Sequence, residues 1–164
     1  MKNYTAIDLF AGCGGLSLGL ENAGFESVYV NELNDDALES YLVNRDNKNP
    51  YLRERFNSND VKNMISNKKY ISSLIGDLKK TYNLDVNSGD LTLLAGGPPC
   101  QGYSGIGHRR TYSVDKEQIP SNFLYQDMAY LINKLNPKIF LFENVRGLLS
   151  ARWNTNGNKG EIWE

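Results

Sequence analysis

One of the two cysteines in this sequence is placed like a nucleophile. Cys100 stands in the segment GGPPCQGYS (96–104), behind two glycines and two prolines. Proline fixes its own backbone and glycine lets groups approach closely, so this segment predicts a stiff arm that presents the thiol. A lone cysteine is more often a small buried apolar residue, but the polar segment that follows favours a nucleophile. A free thiol is mostly protonated at neutral pH, so a nearby positive group should assist it, and the sequence does not identify that group.

Glu143 carries the carboxyl group best placed to work beside that thiol. It follows the apolar run KIFLF (138–142), which predicts a strand, so we expect its carboxyl to be partly desolvated. A desolvated carboxyl can donate or share a proton, as a general acid does. The alternative is a glutamate that only begins a helix. His108 is the only histidine, and its polar surroundings favour an exposed loop residue over a catalytic one.

Glycines and an acidic residue predict a cofactor site near the start of the chain. The segment AGCGG (11–15) follows the apolar run YTAIDLF (4–10), and such a turn lets backbone N–H groups approach a ligand. Glu32 follows the next apolar run roughly 20 residues later, where an acid can accept hydrogen bonds from ribose hydroxyls. A dinucleotide-binding fingerprint would place glycine where Ser17 stands. The pattern therefore predicts an adenosine-bearing cofactor, without separating a nicotinamide from S-adenosylmethionine.

Strands and helices must alternate along the chain to hold these groups. Apolar runs predict strands over residues 4–10, 27–33, 91–95 and 138–142. Helical spacing predicts helices between them, one of which begins at an Asn34 cap. The helical stripes comprise Leu16, Leu20 and Ala23; Leu38, Tyr41 and Leu42; Met64, Ile65, Ile71, Leu74, Ile75 and Leu78, in one helix or a broken pair; and Phe123, Leu124, Met128, Leu131, Ile132 and Leu135. This alternation predicts an α/β fold with a doubly wound, mostly parallel sheet that binds ligands at the carboxyl ends of its strands.

Composition is that of an ordinary soluble domain. The chain has 164 residues, a net charge of −1 and 40% hydrophobic residues, with no apolar run of membrane-spanning length. The two cysteines form no metal-binding cluster, so we expect no metal and a reducing, cytoplasmic setting. Basic residues concentrate in segment 45–80, and a solvated surface is the simplest interpretation of that run. Residues 44–59 are too polar to assign, and residues 101–121 predict a long loop.

The sequence resembles the DNA cytosine-5 methyltransferases. The resemblance is carried by DLFAGCGG (8–15), NEL (31–33), GGPPCQGYS (96–104) and FENVRGLL (142–149), in the family's order and over nearly the whole chain. It implies a Rossmann-like methyltransferase fold, S-adenosylmethionine as the cofactor and double-stranded DNA as the substrate. A bacterial or phage-encoded cytoplasmic enzyme of DNA methylation is expected, with restriction–modification as one possible setting.

The resemblance assigns the cofactor pocket to residues that follow the predicted strands. Phe10 would pack on the adenine, and the glycine turn would hold the methionine moiety. Glu32 would bind the ribose, and Asp60 would accept a hydrogen bond from the adenine amino group. The implied cofactor residues are Phe10, Ala11, Gly12, Cys13, Gly14, Gly15, Glu32, Leu33, Asp60, Val61, Pro99 and Leu124.

The resemblance also implies a reaction on a cytosine flipped out of the duplex. Cys100 would attack carbon 6 while Glu143 contacts ring nitrogen 3 and the exocyclic amine, so that carbon 5 can accept the methyl group. Loss of the carbon 5 proton would then release the enzyme. The supporting residues are Pro99, Gln101, Ser104 and Asn144, and the candidates for DNA phosphate contacts are Ser104, Arg109 and Arg110.

The family pattern extends further than the motifs present here. A second, arginine-bearing catalytic motif, a target-recognition region, the last two strands and the segment that completes the cofactor pocket are not among the 164 residues. We therefore interpret residues 1–164 as the N-terminal part of the cofactor-binding and catalytic domain, truncated, with a sheet incomplete at one edge. We expect this chain alone to methylate DNA poorly or not at all and to self-associate. The full-length protein is expected to be a monomer, and its missing C-terminal part a partner of this chain.

Three other functions compete with DNA methylation. A tRNA cytosine-5 methyltransferase would share the fold, the cysteine and the ENV motif. A nicotinamide-dependent oxidoreductase is disfavoured by Ser17 and by the cysteine and ENV motifs together. A catalytically dead DNA-binding relative is disfavoured because Cys100 and Glu143 are both present.

Overall fold

In the computed structural model, the described residues are 4–99 and 123–145. Their strands are β1 Tyr4–Leu9, β2 Phe25–Asn31, β3 Asn57–Ser58, β4 Leu93–Gly96 and β5 Ile139–Phe142. Their helices are α1 Gly15–Asn22, α2 Asp35–Val43, α3 Tyr51–Glu54, α4 Val61–Ser66, α5 Lys68–Tyr82 and α6 Leu124–Leu135, with a 3₁₀ turn at Val86–Ser88. Strands and helices alternate, which confirms the predicted α/β class.

The described strands form one parallel sheet in the order β3-β2-β1-β4-β5. The chain builds outward from β1 to β3, then crosses back to place β4 on the other side of β1. The strand order therefore reverses between β1 and β4, and the crevice at such a switch point is where open α/β sheets bind ligands. The predicted doubly wound sheet is confirmed.

Helices pack on both faces of this sheet because successive side chains of a strand point to opposite faces. On one face, Ala6 and Ala95 belong to a small cluster that the α1 side chain Leu16 helps to cover. On the other face, Ile7 and Leu94 belong to the main core. That core also includes Met64 of α4, Leu74 and Leu78 of α5, and Met128, Leu131 and Leu135 of α6.

Asparagine caps set the helix boundaries around the site. Asn34 accepts a hydrogen bond from the backbone N–H of Ala37 at 2.9 Å, which confirms the predicted start of α2. Asn67 ends α4 and caps α5 by accepting from the N–H of Lys69 at 3.1 Å, so the predicted apolar stripe over 64–78 is a broken pair of helices. The boundaries follow local chemistry that is visible in the sequence.

The strands differ from the prediction in their bounds. The first strand ends at Leu9 rather than residue 10, the second spans Phe25–Asn31 rather than 27–33, and β4 spans Leu93–Gly96 rather than 91–95. Strand β3 was not predicted, because it has only two residues and both are polar. The run that precedes Glu143 forms β5 as expected, but all four of its residues are exposed, since β5 is the outer strand of the described sheet.

Candidate active site at the carboxyl ends of the strands

Apart from Leu124, which begins α6, the predicted site residues that the structure describes lie at the carboxyl ends of the strands. The glycine turn follows β1, Glu32 follows β2, Asp60 follows β3, and Glu143 follows β5. Gly97 follows β4, and the N–H of Glu143 donates to the carbonyl of Gly96 at 3.0 Å, so the ends of β4 and β5 are adjacent. The convergence that the sequence predicts is therefore present among these residues.

The glycine turn is shaped by left-handed backbone and tied to Glu32. Phe10, Gly12 and Gly14 have φ values of 59°, 55° and 90°, a region that glycine enters at little cost. The N–H of Gly12 donates to Glu32 Oε2 at 2.8 Å, and the N–H of Asn34 donates to Glu32 Oε1 at 2.8 Å. These two hydrogen bonds hold the Glu32 carboxylate in one orientation without a ligand.

Glu32 keeps capacity for a ligand in spite of those two bonds. Each carboxylate oxygen has two acceptor sites and spends one on a backbone amide. The side chain is half-buried rather than sealed in the core. The arrangement suits recognition of a pair of hydroxyl groups, which is what the sequence predicts for this residue.

A buried hydrogen-bond chain lies behind the turn. Asp8, which is 1% exposed, accepts from the Ser17 hydroxyl at 2.6 Å, and Ser17 accepts from the Tyr41 hydroxyl at 2.8 Å. Burial raises the pKa of Asp8 to about 6, although the Ser17 hydrogen bond and the charge of Arg45 both act to lower it. No role for Asp8 is predictable from the sequence, because nothing in its apolar run shows that the carboxyl faces another helix.

Three of the residues assigned to the cofactor pocket lie after β2 and at the start of α4. Leu33 is 71% exposed and stands free to cover an aromatic ring, while Val61 is buried in the core. Asp60 caps α4 by accepting from the N–H of Lys62 at 2.9 Å and is only half-buried. One of its oxygens is thus occupied by its own helix, and the other acceptor sites remain for a donor.

A further acidic residue near this group was missed by the sequence analysis. Asp127 lies in the first turn of α6, three residues after the predicted pocket residue Leu124. Burial raises the pKa of Asp127, the positive charge of Lys62 lowers it, and the negative charge of Asp60 raises it again, so these groups are neighbours. Its position in the first helical turn was visible in the sequence, but its approach to α4 depends on how the two helices pack.

The chemical end of the site is built from the adjacent ends of β4 and β5. A Cβ placed on Gly97 would lie 2.8 Å from Glu143 Oε2, so the carboxyl occupies the space that a side chain would need. Asn144 Nδ2 donates to the carbonyl of Pro98 at 3.2 Å, and its Oδ1 accepts from the N–H of Val145 at 2.8 Å. Asn144 therefore ties the segment before Cys100 to the segment that carries Glu143.

The expectation of a partly desolvated Glu143 is wrong for the described structure. Glu143 is exposed, and it follows a strand that contributes no residue to the core clusters of the described structure. Pro99 is also exposed, whereas Pro98 is buried. Cys100, Gln101, Ser104, Arg109 and Arg110 lie outside the described residues, as do His108 and the predicted loop over 101–121.

This fold and site define the class of protein. The sequence model of the C-5 cytosine-specific DNA methylases matches residues 4–159, nearly the whole chain. The chain belongs to the C-5 cytosine-specific DNA methylase family. The predicted family is confirmed, and a nicotinamide-dependent oxidoreductase is set aside.

Particular relatives come from bacteria and animals. The chain is 33% identical over 147 residues to the type II methyltransferase M.PspPI of Psychrobacter sp. (strain TA137), covering 90% of this chain and 28% of that protein. It is 35% identical over 144 residues to M.AgeI of Thalassovita gelatinovora, covering 88% and 28%. It is 33% identical over 155 residues to DNA (cytosine-5)-methyltransferase 1 of Mus musculus, covering 93% and 9%. The chain thus spans about 28% of the length of the bacterial relatives it matches.

A solved structure agrees with this placement. An Escherichia coli chain described as a DNA modification methyltransferase encoded within a prophage superposes with a TM-score of 0.58 at 29% identity. The match covers 89% of this chain and 33% of that chain. No described helix has both the length and the apolar character to cross a membrane. Among the described residues, no group of three or more histidine, cysteine or acidic side chains could hold a metal ion.

Proposed function

We propose that this chain carries the cofactor site and the nucleophile of an enzyme that transfers a methyl group from S-adenosylmethionine to carbon 5 of cytosine in DNA. The observation that supports it most is the arrangement at the carboxyl ends of the strands. The glycine turn, which is bonded to Glu32, lies at these ends, and so does Glu143. Family membership supports the reaction type. Because the chain corresponds to 28% of its bacterial relatives, we further propose that these 164 residues alone give little turnover.

The described residues fit the proposed cofactor. Gly14 has φ +90° and lies so close to Tyr41 that a side chain there would collide, whereas a Cβ built on Gly12 or Gly15 would meet no atom within 4 Å. Gly14 gives α1 no side-chain cap, so the N–H groups of Gly15 and Leu16 are the candidate donors to a carboxylate, whereas that of Ser17 is engaged by Asp8. Glu32 would hold the ribose hydroxyls, Leu33 would cover the adenine, and Asp60 would accept from its amino group. S-adenosylmethionine, when bound, supplies a methyl group on a positively charged sulfur.

Cys100 and Glu143 would act on the two sides of one flipped pyrimidine. The Cys100 thiolate forms a bond to carbon 6, and the electron pair displaced from the 5,6 double bond makes carbon 5 nucleophilic. Glu143 offsets the charge that develops on the ring by hydrogen bonding to nitrogen 3 and the exocyclic amine. Carbon 5 would take the methyl group as the bond from that methyl to sulfur breaks, which leaves S-adenosylhomocysteine. A base would then remove the carbon 5 proton, the double bond would re-form and the thiolate would leave.

The contact between Asn144 and Pro98 would hold Cys100 and Glu143 in a fixed relative position. The side-chain amide of Asn144 holds the Pro98 carbonyl, two residues before the nucleophile. A misplacement of about 1 Å in a catalytic group can cost roughly a hundredfold in rate, so this bond is a positioning contact. The ends of β4 and β5 would then present thiol and carboxyl to the same base.

A covalent trap tests the proposed nucleophile. DNA carrying 5-fluorocytosine blocks proton loss at carbon 5, so the natural polypeptide that contains this segment should form a complex that survives denaturing electrophoresis. Cys100→Ala should abolish the complex while S-adenosylmethionine binding, measured by calorimetry, stays within about twofold. Ser73→Ala, at an exposed position of α5, is the control and should leave the complex intact. A complex that persists with Cys100→Ala would remove Cys100 from this role.

Substrate class is tested by offering DNA and tRNA in parallel. The family name and the bacterial relatives support DNA, whereas a tRNA methyltransferase would share the cysteine and the ENV motif. Transfer of radiolabelled methyl groups to DNA but not to tRNA is the expected result. Labelling of tRNA alone would overturn the proposed substrate while leaving the chemistry in place.

A further inference from the structure

The side of the glycine turn away from the proposed cofactor rests directly on α2 and the residues after it. A Cβ built on Gly14 would lie 2.6 Å from Tyr41 Cδ2 and 2.8 Å from Arg45 Nη1. Real side chains do not approach that closely, so the turn is seated on the Tyr41 ring and the Arg45 guanidinium with no room between them. The position of the turn therefore depends on the position of these two side chains.

Three hydrogen bonds and a contact with an aromatic ring hold the Arg45 side chain. Its Nε donates to Glu21 Oε1 at 2.6 Å, its Nη1 to the Tyr41 carbonyl at 3.1 Å, and its Nη2 to the Gly14 carbonyl at 3.3 Å. The guanidinium carbon lies 3.8 Å from the centre of the Tyr41 ring, and the side chain is only 6% exposed. The planar fork of arginine can make these bonds together, which the single ammonium of lysine cannot.

The nucleoside side of the site has separate supports. Glu32 is fixed by the N–H groups of Gly12 and Asn34, and Asp60 by the N–H of Lys62. None of these bonds involves Arg45. A change at Arg45 should therefore act mainly through Gly14 and the start of α1, where the proposed function places the methionine moiety.

We infer that Arg45 is a positioning residue that sets the glycine turn for the amino-acid end of the cofactor, while leaving the nucleoside end to other residues. The inference rests on the proposed function. Arg45 touches no cofactor itself and acts through the Gly14 carbonyl and the Tyr41 ring. It belongs to segment 45–80, whose basic residues were predicted to form a solvated surface, and that prediction is wrong for Arg45 because Glu21 and α2 enclose it.

Two ligands that differ only at the amino-acid end test this inference. S-adenosylhomocysteine carries the amino-acid portion, and 5′-methylthioadenosine lacks it. Calorimetric affinities are measured for the natural polypeptide that contains these residues and for its Arg45→Lys variant, at a temperature at which both are folded. Arg45→Lys should weaken S-adenosylhomocysteine binding by about tenfold and leave 5′-methylthioadenosine within about twofold.

Matched variants separate positioning from general loss of stability. Arg53→Lys makes the same change in an exposed arginine that pairs with Glu39 and Asp46, and should alter neither affinity. Leu42→Ala removes a buried side chain of α2 without touching the fork, and the folded protein should bind both ligands normally. If Arg45→Lys does not fold, Glu21→Gln takes its place and should weaken S-adenosylhomocysteine alone by about threefold, because it loosens the guanidinium.

Each result decides the inference. Equal loss of both ligands, or loss of neither, in the Arg45 or Glu21 variants would overturn it while wild-type binding leaves the proposed function standing. Failure of the unsubstituted natural polypeptide to bind either ligand would contradict the proposed function, and the positioning role with it. Selective loss of S-adenosylhomocysteine in the Arg45 or Glu21 variants, with normal binding by Arg53→Lys and Leu42→Ala, supports the role of Arg45.

Discussion

Asp8 shows how a single buried carboxyl behind the site links stability to pH. It is 1% exposed, one of its oxygens accepts from Ser17, and its other oxygen has no hydrogen-bond partner among the described residues. The nearby charges are Arg45, which favours the ionised form, and Glu21, which opposes it. Burial is the largest influence and raises the pKa from 3.8 to about 6. The folded state therefore keeps Asp8 protonated up to about pH 6, whereas the unfolded state releases that proton near pH 3.8.

The sign of the effect on stability follows from that shift. Between pH 3.8 and about 6 the folded state holds a proton on Asp8 that the unfolded state has released, so stability falls as the pH rises through this window. The loss totals about 3 kcal/mol above pH 6. Asp8→Asn keeps an acceptor for Ser17 without the charge, so its free energy of unfolding should not show this loss. The difference in free energy of unfolding between the variant and the wild type should therefore shift in favour of the variant by about 3 kcal/mol from pH 4 to pH 7.5. Urea denaturation of both proteins across the range measures the difference, and parallel pH curves would contradict it.

Residues at the surface of the site could be predicted from the sequence more fully than residues behind it. Glu32 and Glu143 were identified because each follows an apolar strand, and strand ends of a parallel sheet share one edge. Arg45 and Asp8 were not, because their roles depend on which helix packs against which strand. A sequence pattern marks a residue as basic or acidic without saying what encloses it, and here the enclosing groups come from α1 and α2.

Among the elements, the junction between the ends of β4 and β5 bears most directly on the chemistry. The two strands pair in register from Leu93 and Ile139 to Gly96 and Phe142, so the residues that follow them emerge side by side. Gly97 has no side chain where Glu143 Oε2 lies, and Asn144 bonds back to Pro98. The position of the Glu143 carboxyl therefore depends on the absence of a side chain at Gly97.

Gly97→Ala tests this junction. The added Cβ would lie 2.8 Å from Glu143 Oε2 and should displace the carboxyl, slowing covalent trapping on 5-fluorocytosine DNA by about a hundredfold in the natural polypeptide that contains this segment. Binding of S-adenosylmethionine should change by less than about twofold, since Glu32 and the turn are untouched. Gly76→Ala on α5 makes the same change where no atom lies within 4 Å, and should trap at the wild-type rate. Normal trapping by Gly97→Ala would show that Glu143 is not placed by this contact.

The helices and strands around that junction were predictable to different degrees. Helix α2 was predicted because its Asn34 cap and its stripe of Leu38, Tyr41 and Leu42 agree. Strand β3 carries no apolar alternation, and it exists because the N–H of Val30 bonds to Phe56 and that of Glu32 to Ser58. A strand of two residues is defined by its partner, so its own sequence holds no signal for it.

At the scale of the whole molecule, the two edges of the described sheet differ in character. The β3 edge has two half-buried polar residues, and very short edge strands resist pairing with other chains. The β5 edge has four apolar residues, Ile139 to Phe142, and all are exposed. An exposed apolar edge strand invites another strand to add to it. The asymmetry supports the expectation that this chain associates with itself.

Phe140→Lys should therefore reduce association of the 164-residue chain. Phe140 is 61% exposed on β5, and a lysine there should raise the dissociation constant for self-association by about tenfold or more, since charge on an edge strand opposes edge-to-edge pairing. Leu18→Lys is the control, because Leu18 is 54% exposed on α1 and lies on no sheet edge. Sedimentation velocity over a concentration series measures all three proteins. Equal weakening by both variants would assign association to general hydrophobicity, whereas an effect confined to Phe140→Lys would assign it to the β5 edge, the same strand that delivers Glu143.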